Sequence, residues 1–131
     1  MPGPTPESLA QAGTEESEQV ALFCWSATLE VRNQYPELQW MFAIPNGGLR
    51  NKIVAAKLKA QGVKAGVPDI FLPVSRGKYH GIFVELKTLK GVVSNMQKQW
   101  IAALQVQGYA ACVCIGWENT AKMLVSYLEW K

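Results

Sequence analysis

Histidine and cysteine are scarce in this sequence, and their scarcity narrows the chemistry. A single histidine, His80, stands among 131 residues, so no histidine pair is available to bind a metal, and a lone imidazole gives no nucleophile–base pair. It reads as a structural or surface residue. The three cysteines, Cys24, Cys112 and Cys114, include no Cys-x-x-Cys pair, which argues against zinc held by the usual cysteine and histidine ligands. Cys112 and Cys114 lie two apart in an apolar run, so on a strand they face the same way and read as small core residues. An odd count suits a reducing compartment. No apolar run approaches the ~20 residues of a membrane span, and the N-terminus lacks a basic segment followed by an apolar one. The expectation is a soluble, cytoplasmic protein without a membrane partner.

What is present suits one folded domain. The chain is long enough for a single compact unit and short for two. Hydrophobic residues make up 49% and charged residues 18%, which allows a sizeable core and argues against global disorder. A formal charge of +3 and a sequence pI of about 8.8 permit a nucleic-acid partner without demanding one.

Residues 1–13 are rich in proline, glycine and small polar side chains and read as a flexible arm, leaving 14–131 as the domain. Thr14, ahead of Glu15 and Glu16, is an N-cap candidate. From there to about Asn33, the spacing of Val20, Phe23, Ala27 and Val31 predicts one amphipathic helix. Residues 39–44 form a short apolar run, expected as a strand, and Pro45-Asn46-Gly47-Gly48 is a turn signal. Residues 52–61 have helical character, with Gly62 as the stop. Two apolar segments, 69–72 and 81–87, flank a polar stretch and predict a β-hairpin. Ser94-x-x-Gln97 is a capping box opening a helix to about Gln107. Residues 110–115 read as a buried strand and 118–130 as a final helix. The order is α-β-α-β-β-α-β-α, a mixed α/β domain with a central sheet and no internal repeats.

The chemistry concentrates between Gly66 and Lys87. Asp69 begins one arm of the hairpin and Glu85 lies near the end of the other, so both carboxylates can meet at one end of the sheet. Glu85 and Lys87 are two apart and project from one face. Two hard oxygen ligands on strands, with positions left for water and phosphate, suit Mg²⁺ or Mn²⁺. A lysine beside them can orient or help deprotonate an attacking water and offset charge on a pentavalent transition state. An isolated Glu-x-Lys on a strand is ordinarily an exposed ion pair. Its joining to Gly-x-Pro-Asp at hairpin distance, inside an otherwise apolar strand, favours a site.

Pro68-Asp69 followed by Glu85-x-Lys87 resembles the PD-(D/E)XK nuclease superfamily. Ile44-Pro45-Asn46-Gly47-Gly48-x-Arg50, Gly62-x-Lys64-x-Gly66-x-Pro68-Asp69, Glu85-Leu86-Lys87, Ser94-x-x-Gln97 and Gly108-Tyr109 together resemble its VRR-NUC branch, in the stand-alone form of phage and bacterial members. That resemblance implies a restriction-endonuclease-like core, a central mixed β-sheet flanked by helices. It implies a metal-dependent DNA endonuclease with Mg²⁺ or Mn²⁺ held by Asp69, Glu85 and the backbone carbonyl of Leu86, and with Lys87 acting on the water. Family members place a glutamate of the first helix near the site. Glu15, Glu16 and Glu18 compete for that place, and Glu18 is chosen because Glu18-Gln19 directly precedes the apolar helix face.

Other residues have two readings each. Gln97 closes the capping box, and the resemblance places it beside the metal. Asn46, Gly47 and Arg50 can bring backbone N–H groups and a guanidinium to a DNA phosphate, or form a plain turn. Lys64, with Lys52, Lys57 and Lys59, can extend a basic surface or simply be a solvated face. Ser75-Arg76-Gly77-Lys78 is an exposed basic hairpin tip. Of the five tryptophans (Trp25, Trp40, Trp100, Trp117 and Trp130), most are expected in the core, although aromatic residues also suit interfaces. Stand-alone relatives point further to a homodimer acting on branched DNA such as a four-way (Holliday) junction. The competing readings are a catalytically inert DNA-binding module with a nuclease fold, and an α/β interaction domain whose charged strand residues are surface pairs.

Overall fold

Helix starts in this chain follow from side chains that cap them. Thr5 and Ser8 form a capping box at the head of α1 (Pro6–Leu9), Thr14 and Ser17 do so at α2 (Glu15–Ser26), and Ser94 and Gln97 at α5 (Asn95–Val106). Asn51 caps α4 (Lys52–Ala60) by accepting from the Val54 N–H at 2.8 Å. Each such cap is worth ~1 kcal/mol to its helix. The computed structural model describes residues 3–45 and 51–131. Its remaining elements are α3 (Leu29–Gln34), β1 (Phe42–Ala43), β2 (Ile70–Leu72), β3 (Ile82–Lys87), β4 (Ala110–Ile115) and α6 (Gly116–Leu128).

Three elements differ from the sequence expectation. The stretch read as a loose arm contains α1 and a 3₁₀ turn at Ala10–Ala12, with Leu9 and Ala10 packed on the core. Gly13, at φ 69, turns that segment into α2. The single helix expected over residues 14–33 is broken between Ser26 and Leu29. There the Ser26 hydroxyl donates to the Phe23 carbonyl and the Thr28 hydroxyl to the Trp25 carbonyl, both at 2.9 Å, and these bonds offer the backbone an alternative to the helical ladder. The strand expected over 39–44 shrinks to Phe42–Ala43, because Pro36 initiates a 3₁₀ turn that runs to Trp40.

The four strands stand in the order β1-β2-β3-β4. β1 pairs antiparallel with β2, and β2 antiparallel with β3 in the register Ile70↔Val84 and Leu72↔Ile82. β3 and β4 run parallel, with Val84↔Cys112 and Leu86↔Cys114, and α5 makes the crossover between them. The result is a mixed sheet with helices on its faces.

Alternation along the strands gives the two faces different work. Ile70, Leu72, Ile82, Val84 and Cys114 are buried against Ala21 and Leu22 of α2 and Leu124, Tyr127 and Leu128 of α6. Fully burying a side chain of this kind stabilises by ~1.5–3 kcal/mol, so this layer anchors the sheet. The opposite face carries Phe71 and Phe83, stacked at 4.1 Å between centroids, with Tyr109 edge-on to both. Further along β3 the same face carries Glu85 and Lys87. Among the tryptophans, Trp117 is buried in the core and Trp25 packs against it, but Trp40 and Trp130 are at least half exposed. Among the described residues no helix is long and apolar enough to cross a membrane.

Candidate metal centre

The hairpin register brings Asp69 to Glu85. Continuing the pairing one step beyond Ile70↔Val84 sets Asp69 opposite Glu85, at the end of β2 where that strand begins. Asp69 Oδ2 accepts from the Leu86 N–H at 2.9 Å, and the Asp69 carbonyl accepts from the Ile44 N–H at 2.7 Å. The carboxylate is thus held by the strand beside it and its backbone by the strand on the other side.

Pro68 has its own part in this arrangement. The Leu86 N–H points toward β2, and in a hydrogen-bonded antiparallel pair the N–H and C=O of one residue point the same way. One more step of register sets the fully buried Pro68 opposite Leu86. Proline has no N–H to offer, so the ladder cannot bond the Leu86 carbonyl at that pair. The Pro-Asp sequence therefore supplies a carboxylate to the Leu86 N–H while denying a donor to the Leu86 carbonyl.

Glu85 is a charged side chain buried inside the sheet. It is 1% exposed. Its Oε2 accepts from Gln97 Nε2 at 3.1 Å and lies 3.4 Å from Lys87 Nζ, while no N–H or hydroxyl donates to its buried Oε1. Burial pushes the Glu85 carboxyl from 4.5 up to about 8, the Asp69 carboxylate adds to the rise, and Lys87 opposes it. A buried carboxylate oxygen without such a donor beside a second carboxylate is costly by itself, and a hard cation would relieve both terms. Among the described residues no three histidine, cysteine or acidic side chains cluster as a metal cage. The available donor set is two carboxylates and one backbone carbonyl, which fits an ion such as Mg²⁺ that keeps several waters or substrate oxygens.

Lys87 is also buried, at 7% exposure, and its Nζ lies 3.4 Å from Glu85 Oε2 and 4.0 Å from Glu15 Oε1. Of the three candidate glutamates at the start of α2, the one within ion-pair distance of Lys87 is Glu15. Glu18, chosen from the sequence, instead turns its Oε1 to the Trp117 N–H at 3.3 Å, at the head of α6, where no N-cap side chain bonds the first turn. A carboxylate suits the free N–H groups and positive end of that helix. Glu15 and Glu18 are three apart on one helical face, so only the docking of α2 against the sheet distinguishes them. Gly91 makes room for the Glu15–Lys87 approach: a Cβ there would stand 3.1 Å from both Glu15 Oε2 and Lys87 Cδ.

Gln97 closes the capping box and also reaches Glu85. Its backbone N–H donates to Ser94 Oγ at 3.1 Å, its Oε1 accepts from the Ser94 N–H at 2.8 Å, and its Nε2 donates to Glu85. Because the cap occupies the amide oxygen, the amide must present its NH₂ to the carboxylate. Gly66 lets α5 come this close. It sits at φ +90, and a Cβ would meet Met96 Cγ at 2.4 Å and the Met96 backbone carbon at 3.0 Å.

The remaining sequence candidates lie at the periphery. Asn46, Gly47 and Arg50 fall outside the described residues. Lys64 is exposed and shares a groove with Lys59 and Trp100, a half-buried aromatic that the sequence did not single out from the other tryptophans. His80 is exposed, 5.6 Å from Tyr109 between ring centroids, and far in the chain pairing from the acidic end of β3. Glu16 is exposed.

The family model of the VRR-NUC domain matches residues 13–117. No curated protein matches the sequence. Among solved structures, a VRR_NUC domain protein is similar at 30% sequence identity, with 88% of each chain covered and a TM-score of 0.73.

Proposed function

This chain belongs to the VRR-NUC family and carries its nuclease-type DNA-processing domain, and from that premise we propose that it is a divalent-metal-dependent DNA endonuclease whose centre is Asp69, Glu85 and Lys87. The observation that carries the reading is the buried Glu85 carboxyl, whose Oε1 receives no N–H or hydroxyl donor, set beside Asp69. Asp69, Glu85 and the Leu86 carbonyl would hold Mg²⁺ or Mn²⁺, with water and phosphate oxygens completing the shell. Such an ion, when bound, lowers the pKa of water and offsets charge on the phosphoryl group.

The protein's own residues supply positioning. Asp69 is anchored by the Leu86 N–H and Glu85 by Gln97, so neither needs to reorganise during the reaction. Lys87, steadied by Glu85 and Glu15, orients the attacking water and stabilises the extra negative charge of the transition state. In the longer reading the enzyme works as a homodimer on branched DNA, since one domain of this size has little surface with which to hold two duplex arms.

Incubation with Mn²⁺ and labelled duplex, flap and four-way-junction DNAs tests the activity. Cleavage by the wild type should be lost in Asp69→Ala and Lys87→Ala. Cleavage that survives either change sinks the assignment. Mn²⁺ titration by calorimetry separates an enzyme from a binding-only module, for which no metal uptake is expected. Sedimentation of the protein with and without DNA reads the dimer.

A further inference from the structure

A groove runs between α4 and the first turns of α5. Two adjoining hollows of about 590 and 440 Å³ make it up, and both are lined by Val63, Lys64 and Trp100. Its walls are apolar apart from a few polar groups, and among the described residues its cations are Lys59 and Lys64 and no acidic side chain lines either hollow. Two of its walls adjoin the candidate metal centre along the chain. Val67, two residues before Asp69, lines the second hollow, and Met96 and Trp100 flank Gln97, the donor to Glu85, on α5. Trp100 follows Gln97 by three residues, so the two share a helical face about 4.5 Å apart along the axis.

We propose that this groove takes an unpaired nucleobase of the strand being cut, packed against Trp100, with Lys59 and Lys64 on the flanking phosphates. An aromatic plane in an apolar cleft with a cationic rim and no acid matches a ligand that is a flat π-system joined to anions. A base stacked in duplex DNA cannot enter without leaving its neighbours, so the substrate class is DNA with an unpaired nucleotide next to the scissile phosphate. The inference rests on the nuclease reading for its placement beside the cut, and its binding consequences can be measured apart from cleavage.

The test measures anisotropy of a fluorescein-labelled dodecathymidine and of a fully paired duplex of equal length, in EDTA so that no cutting occurs. Trp100→Ala should weaken oligothymidine binding about tenfold or more while changing duplex binding about twofold or less, and Trp100→Phe should retain most of the single-strand affinity. Joint Lys59→Glu and Lys64→Glu should weaken both ligands and flatten the salt dependence. An unchanged ratio of single-strand to duplex affinity in Trp100→Ala overturns the groove. If that variant does not fold, single-strand affinity equal to wild type in the folded Lys59/Lys64 double variant overturns it instead. The two readings fail separately. A wild type that cleaves with Mn²⁺ but shows no Trp100 dependence loses only the groove, and a wild type that never cleaves yet binds single strands through Trp100 loses only the nuclease.

Discussion

Replacing Glu85 by glutamine should stabilise the metal-free protein at alkaline pH and abolish its response to metal. The side chain keeps its shape and loses its charge. In the folded wild type the carboxyl is pushed from 4.5 up to about 8, chiefly by burial. The unfolded chain ionises near 4.5, so between 4.5 and 8 the unfolded state sheds a proton that the folded state retains. Stability relative to a neutral side chain is therefore intact below 4.5, falls as pH rises through that window, and levels off above 8. The interval amounts to ~5 kcal/mol at ~1.4 kcal/mol per pH unit. That figure is a ceiling, because the glutamine also deprives the buried Lys87 of its partner at 3.4 Å and leaves it with Glu15 at 4.0 Å. A net gain of ~1–3 kcal/mol at pH 8.5 is the expected result.

Urea unfolding followed by tryptophan fluorescence, in EDTA from pH 5 to 8.5, reads the difference between variant and wild type. Taking that difference cancels the titrating groups that do not interact with Glu85. Adding Mg²⁺ at pH 8.5 should raise wild-type stability by mass action, an increment that Glu85→Gln loses. A variant-minus-wild-type difference that stays flat from pH 5 to 8.5 would refute the claim that burial of an ionisable Glu85 governs this site.

Four further changes probe the neighbourhood. Gln97→Glu keeps a capping-box acceptor but replaces the NH₂ donor by a second negative charge beside Glu85, so helix content by circular dichroism should hold while cleavage falls about tenfold or more. Gly66→Ala forces a side chain into left-handed backbone and into Met96, and should cost on the order of 2 kcal/mol in denaturant unfolding with loss of metal affinity as α5 is displaced. Glu15→Gln should reduce cleavage by loosening Lys87. By contrast, Glu18→Gln should cost ~0.5–1 kcal/mol of stability at the head of α6 and leave cleavage nearly unchanged, a pair of outcomes that exchange places if Glu18 is the site residue.

Much of the candidate site's arrangement was legible because strand geometry is local. Asp69, Glu85 and Lys87 follow from a hairpin and a two-residue period, and the same alternation sends Cys114 into the core. The Ser94–Gln97 and Thr14 caps were readable for a similar reason, since a helix start is a matter of a few consecutive residues. What the sequence alone determined, then, was the placement of the two carboxylates and the lysine on the hairpin, the caps, and the family pattern around them. Tertiary structure decided the rest. Glu15 and Glu18 present equal credentials on one helical face, and only the packing of α2 on the sheet sends one to Lys87 and the other to α6. The break at Ser26 and the order of residues 3–12 depend on hydroxyl back-bonds and on core contacts that periodicity does not report. The charge state of Glu85 is a tertiary property above all. An exposed Glu-x-Lys and this buried one have the same sequence, and the difference is the water that α5, Pro68 and the strands on either side exclude.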